Sequence, residues 1–170
     1  MSNKLERKRQ PVFVYEGFGF PVELHNVPML RVRGGWTPDV DYRELSTRLL
    51  DALAHKSSRL TGAEVRFIRT CLSMTLQAFG TRFAVSHPAV MKWEDAGSGP
   101  TSMAWATEKD IRLELVRRTR VRAADFVDAY GELAKSRPDQ PQRPPVLSLG
   151  VAVASTPGRR RSVERGSKAA

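Results

Sequence analysis

Hydrophobic and polar positions follow two rhythms along this chain. Between Pro11 and Trp36, β-branched and aromatic residues come in short runs (VFVY, FGF, VEL, MLRVR) separated by Gly, Pro and Asn and closed by Gly34-Gly35. That language predicts two or three short strands in a small antiparallel meander, too small to stand alone and obliged to lay an apolar face on a helix. Phe13, Tyr15, Phe18 and Phe20 are the candidates for that packing face, with partner binding as the alternative use.

After Trp36 the period lengthens to that of a helix. Asp39 or Asp41 can cap a run to about Lys56 in which Leu45, Leu49 and Leu53 recur every four residues, with Leu50 beside them. Lys56-Ser57-Ser58-Arg59 interrupts it. Thr61 and Glu64 have capping-box spacing, opening a helix that buries Val65, Ile68 and Leu72 and exposes Arg66. Thr75 caps a second run through Leu76, Phe79, Gly80 and Phe83. A third starts after Val85, with Ala89, Val90 and Trp93 inward, so three helix starts fall within 26 residues.

Beyond Gly99-Pro100, Thr107 to Asp110 fits another start, and Ile111, Leu115 and Val116 make an apolar side among Arg112, Arg117, Arg118, Arg120 and Arg122. Residues 122–135 predict a last helix whose Phe126, Val127, Tyr130, Leu133 and Ala134 complete the core or form a dimer seam. The Pro-rich PDQPQRPP, the short patch VLSLGVAVA and a Gly/Arg/Ser-rich end make 136–170 a disordered basic tail by composition. The expected organisation is therefore a basic disordered arm (1–10), a small β segment (11–36), a helical domain (37–135) and the tail.

The net charge of +10 invites a nucleic-acid partner, but its placement matters more than its sum. The arm carries +3 and the tail +5, which leaves +2 for residues 11–135. Within that middle, Arg59, Arg66, Arg69, Arg82 and Lys92 against Glu64 give residues 59–92 a local +4. The single cysteine, Cys71, excludes an internal disulfide framework and fits a reducing compartment, where it reads as a small core hydrophobe. No apolar run reaches 18 residues, and MSNKLERKRQ leads into no apolar signal core, so a cytoplasmic protein outside the membrane is expected.

Catalysis finds little to build on. His25, His55 and His87 lie in separate segments with no cysteine or carboxylate pair at ligand spacing, and Gly17-x-Gly19 and Gly97-x-Gly99 read as turns. The expectation is a non-enzyme with no catalytic residue, metal or cofactor.

Residues 75–94 have instead the proportions of a helix-turn-helix. Two helices crossing steeply need a small residue at their contact and apolar residues that seat the second on the first. Gly80 meets the first need, Val85 and Val90 the second, and Trp93 anchors the second helix from behind. With Arg66, Arg69, Thr75, Phe79-Gly80, Val85-Ser86, Val90, Trp93-Glu94 and Gly97 in place, residues 60–97 resemble the Xre-like (lambda-repressor-like) helix-turn-helix family, which includes lambdoid phage repressors and many antitoxins.

The resemblance implies a mainly α, lambda-repressor-like bundle preceded by the small β segment. It implies an ion pair between Arg69 and Glu94 that leaves part of the Arg69 guanidinium near a phosphate, backbone contacts around Thr75, DNA contacts from Gln77, Arg66 and Ser86, and a groove side made of His87, Pro88, Ala89 and Lys92. Lys92 would be the donor to guanine O6 or N7. Two positions depart from the pattern. Leu76 stands where many members carry Gln, and Pro88 disfavours helical geometry at His87, so Ser86 and His87 compete as the cap.

The order β segment, leucine-striped helix, LTG-x-E-x-RF-x-R is similar to antitoxin-type regulators that carry a zinc ribbon, but the paired cysteines are missing here and no zinc module is carried over. The function implied is a sequence-specific transcriptional regulator, an (auto)repressor of antitoxin type, binding double-stranded DNA as a homodimer because one short helix reads few bases. The alternative is a protein-interaction module that neutralises a partner such as a toxin, with DNA binding secondary.

Overall fold

The computed structural model describes residues 6–119, 122–135 and 145–151. Three strands come first, Arg7–Tyr15 (β1), Val22–Val32 (β2) and Gly35–Pro38 (β3). Six helices follow: Tyr42–Ala54 (α1), Gly62–Cys71 (α2), Leu76–Arg82 (α3), His87–Asp95 (α4), Trp105–Thr119 (α5) and Ala123–Lys135 (α6). A short strand, Leu147–Gly150 (β4), comes last. The fold is thus mainly α with a small mixed sheet, and no helix among the described residues is long and apolar enough to cross a membrane.

β2 is the spine of the sheet. Its burial begins on Val22 and Leu24 and resumes on Val27 and Met29, a shift of one in the alternation. Asn26 produces that shift: at φ 57° it is a left-handed residue in mid-strand, and both halves of β2 then turn their apolar side chains to the helices. Arg9 in β1 donates to Asn26 Oδ1 at 3.0 Å. β2 and β3 are joined by Arg33-Gly34, both at positive φ, the two-residue loop that matches the twist of a hairpin. The sheet packs through its aromatics, with Phe18 and Phe20 edge-on to Phe67 of α2 and Tyr15 against Tyr42 of α1. Phe13, Tyr15, Phe18 and Phe20 are a packing face.

Three sequence expectations are corrected here. Arg7–Gln10 of the expected arm are strand, because β2 is long enough to pair Arg7 with Leu30 and Gln10 with Val27. The sheet is not purely antiparallel, and residues 147–150 are not tail. β4 lies parallel to the first half of β2, Val22 opposite Leu147 and Leu24 opposite Leu149, with Leu149 buried and Val151 N–H donating to His25 O. Four residues without a cap read as nothing alone; the free edge of β2 makes them a strand. Arm residues 1–5 and tail residues 136–144 and 152–170 lie outside the described residues.

The helix starts follow their caps. Asp41, not Asp39, caps α1, accepting from the amides of Arg43 and Glu44, while Asp39 pairs with Arg7 at 3.4 Å. The Thr61–Glu64 capping box of α2 is present in both directions. α5 begins two residues before Thr107, because Glu108 faces inward and has other work. Its Oε1 accepts from the Leu60 amide at 3.0 Å and from Arg112, and its Oε2 from Arg59.

Arg112 is fully buried, donating to the carbonyls of Lys56 and Ser58 at 2.6 Å each as well as to Glu108. It closes the C-terminal end of α1 from another helix, a task suited to a planar fork of five donors. Burial lowers its pKa, and Glu108 acts in the opposite direction. Lys56 is buried too, gripping both oxygens of Glu64 at 2.7 and 2.8 Å. The polar break Lys56–Arg59 is therefore the interior junction of α1, α2 and α5.

Candidate nucleic-acid interface

α3 and α4 are short, and each owes its start to a hydroxyl. Thr75 Oγ1 accepts from the Ala78 amide at 3.1 Å and Ser86 Oγ from the Ala89 amide at 3.4 Å. Ser86 is the cap of α4, which resolves its competition with His87: His87 is the first helical residue and Pro88 the second, where the missing N–H has no helical partner to lose. The turns before the two helices are tight, with Ser73 at φ 55° and Ala84 at φ 54°.

Two glycines set how closely α4 is held. A Cβ on Gly80 would stand 2.7 Å from Val85 O and 3.3 Å from His87 N, so α3 meets the entrance of α4 backbone to backbone. A Cβ on Gly62 would stand 2.2 Å from Trp93 O, which places the first turn of α2 hard against the end of α4. Gly80 was legible from the helix-turn-helix pattern, whereas Gly62 sits inside LTG, where the sequence signals only a cap. Val90 and Trp93 are buried beneath α4 as expected.

Glu94, 5% exposed, receives Arg69 Nε at 2.6 Å and Nη2 at 3.0 Å, and Arg66 Nε at 3.1 Å. Arg69 Nη1 also donates to Met74 O at 3.0 Å, fixing the link between α2 and α3. The hydrogen bonds to Glu94 raise the Arg69 pKa. Glu94 thus turns away from any groove and locks α4 to α2.

The outward side of this unit carries Thr75, Gln77, Ser86, His87, Pro88 and Lys92, all exposed, with Ala89 half-buried, Arg69 half-buried and Arg66 exposed at the flank. On α4 the exposed positions are His87, Pro88, Met91, Lys92 and Asp95, a continuous face opposite Val90, Trp93 and Glu94. Met91, 44% exposed, was missed by the sequence reading, although its spacing of four from His87 signals the same face.

The local charge is not the one that counting residues suggests. Arg59 is buried on Glu108, Arg66 and Arg69 hold Glu94, and Arg82 reaches Asp110 and Glu114. Lys92 has no carboxylate partner among the described residues. Of the five cations between 59 and 92, it is the one on the α4 face that stands ready for an outside acceptor. Set against family models, curated proteins and solved structures, the chain matches none of them.

Proposed function

We propose that the chain is a duplex-DNA-binding transcriptional regulator of lambda-repressor-like build, in which α3 and α4 form a helix-turn-helix and α4 is the recognition helix. The observation that carries this reading is the division of α4 into two faces. One face is locked by Val90, Trp93 and the Glu94 clamp; the other presents His87, Pro88, Met91, Asp95 and Lys92, which has no carboxylate partner among the described residues, to solvent. A rigidly seated short helix with an open first turn and one free cation suits the major groove, where a lysine donates to guanine O6 or N7 and the exposed amides near Thr75 suit a phosphate.

An autorepressor of antitoxin type that dimerises is the specific form proposed. One α4 spans too few base pairs to be selective, and Val127 and Tyr130 on α6, 66% and 50% exposed, give a second copy something apolar to meet.

Footprinting on the protein's own promoter, with wild type beside Lys92→Ala, tests the reading. Protection of a two-fold site that weakens or loses selectivity in the variant supports it, and absence of any duplex binding at low salt overturns it. The alternative, neutralisation of a partner protein, is favoured by one feature. β1 is an outer strand with Val12 and Val14 exposed, 44% and 53%, and an open strand edge pairs readily with another chain.

A further inference from the structure

Away from the α4 face, three guanidinium groups converge on one carboxylate. Glu114 of α5, 4% exposed, receives Arg82 Nη2 at 3.0 Å, Arg117 Nε and Nη2 at 3.0 and 2.7 Å, and Arg118 Nε at 2.7 Å. The arginines themselves remain open, with side chains 41%, 62% and 40% exposed. Tying α3 to α5 needs one arginine, and neutralising one carboxylate needs one. Asp110, 3.4 Å from Arg82, is the other acid at this place, so a positive excess survives. Arg117 Nη1 and both terminal nitrogens of Arg118 have no partner among the described residues.

We infer that Arg82, Arg117 and Arg118, held in register by Glu114, form a phosphate-binding site that grips the DNA backbone beside the groove entered by α4. The inference rests on the reading above. Guanidinium forks suit phosphate oxygens, and a fork already immobilised by a buried carboxylate loses less entropy on binding than a free surface arginine. Arg82 ends α3, the helix whose Gly80 meets the backbone at the entrance of α4, so the cluster is tied through α3 to the unit that seats α4. The cluster's unused donors match an acceptor with several oxygens, as a phosphodiester has.

The test is the salt dependence of binding by the full chain to a promoter duplex and to a scrambled duplex. In Arg117→Gln/Arg118→Gln the slope of log affinity against log salt should fall by about 2, with both duplexes weakened by a similar factor, since phosphate contacts carry no sequence information. Arg43→Gln/Arg48→Gln, which removes the same charge from α1, should leave the slope near wild type. Arg117→Lys/Arg118→Lys keeps charge without forks and should weaken binding while retaining most of the slope, a result that also covers a misfolded glutamine variant. An unchanged slope in the glutamine variant, or an equal loss in the α1 control, overturns the site while leaving the regulator reading in place. A wild type that binds neither duplex overturns both, and a cluster serving an acidic protein instead would leave both DNA affinities untouched.

Discussion

Arg69 holds Glu94 with two hydrogen bonds, Nε to Oε1 at 2.6 Å and Nη2 to Oε2 at 3.0 Å, and with its other terminal nitrogen, Nη1, it holds the carbonyl of Met74. One side chain of α2 thereby fixes the far end of α4 and the approach to α3. Glu94→Ala, which leaves Arg69 half-buried without its acceptor, should lower stability by about 2 kcal/mol. Urea unfolding reads this as a lower midpoint at unchanged slope. Glu94→Gln, which preserves shape, should cost roughly half as much.

The glycines predict opposite signs for one substitution. Gly80→Ala forces a methyl against Val85 O and should destabilise by about 1–3 kcal/mol, with α4 displaced and, on the proposed function, DNA affinity lost. Gly131→Ala lies inside α6 with nothing within 4 Å of the new Cβ, and should stabilise by about 0.5–1 kcal/mol. Thermal melts of the two variants side by side decide it; a stabilising Gly80→Ala would mean that α3 and α4 are not in backbone contact.

The junction beneath α1 should be the most sensitive place in the molecule. Arg112→Met leaves buried Glu108 with Arg59 and the Leu60 amide alone and strands the carbonyls of Lys56 and Ser58, a loss of about 3–5 kcal/mol. Expression of the folded chain and its urea midpoint are the measurements. A change below about 1 kcal/mol would show that water reaches this junction.

Acid should act through Glu114, whose three arginines, Arg117 foremost, hold its carboxyl down to about 2 from 4.5. A depressed carboxylate stabilises the folded state above its unfolded pKa. That contribution, on the order of 2 kcal/mol once the open arginines are discounted for solvent screening, drains away as pH falls from about 4.5 towards 2. Unfolding midpoints between pH 5 and 2.5 should fall more steeply for wild type than for Glu114→Gln.

The regular features were legible in the sequence because they are local. Thr61–Glu64, Thr75 and Ser86 announce their helices within three residues, and Leu45, Leu49 and Leu53 announce their buried stripe. What escaped depends on residues far apart in the chain. Arg112 reads as one more surface arginine until the end of α1 and the break after it supply the carbonyls of Ala54, Lys56 and Ser58, and LSLG reads as tail until β2 offers an edge. The same distance misled the charge count: Arg59 looks available only while Glu108, 49 positions on, is out of view. On the α4 face, Lys92 and His87 could be named, whereas Met91 was passed over, because an apolar residue reads as core even at a spacing of four from exposed His87.

The parallel pairing of β4 with β2 joins Val22 to Leu147, nearly the two ends of the described chain. A contact of that span closes late, since the entropy of so large a loop opposes it until the intervening helices have compacted. During synthesis, the near edge of Val22–His25 therefore waits, uncovered, for almost the entire chain to be made. Arrest of translation or clipping between Lys135 and Leu147 releases a product that keeps the helices described above and leaves a sticky ribbon at one side. Such a fragment would be drawn to aggregation or to chaperones.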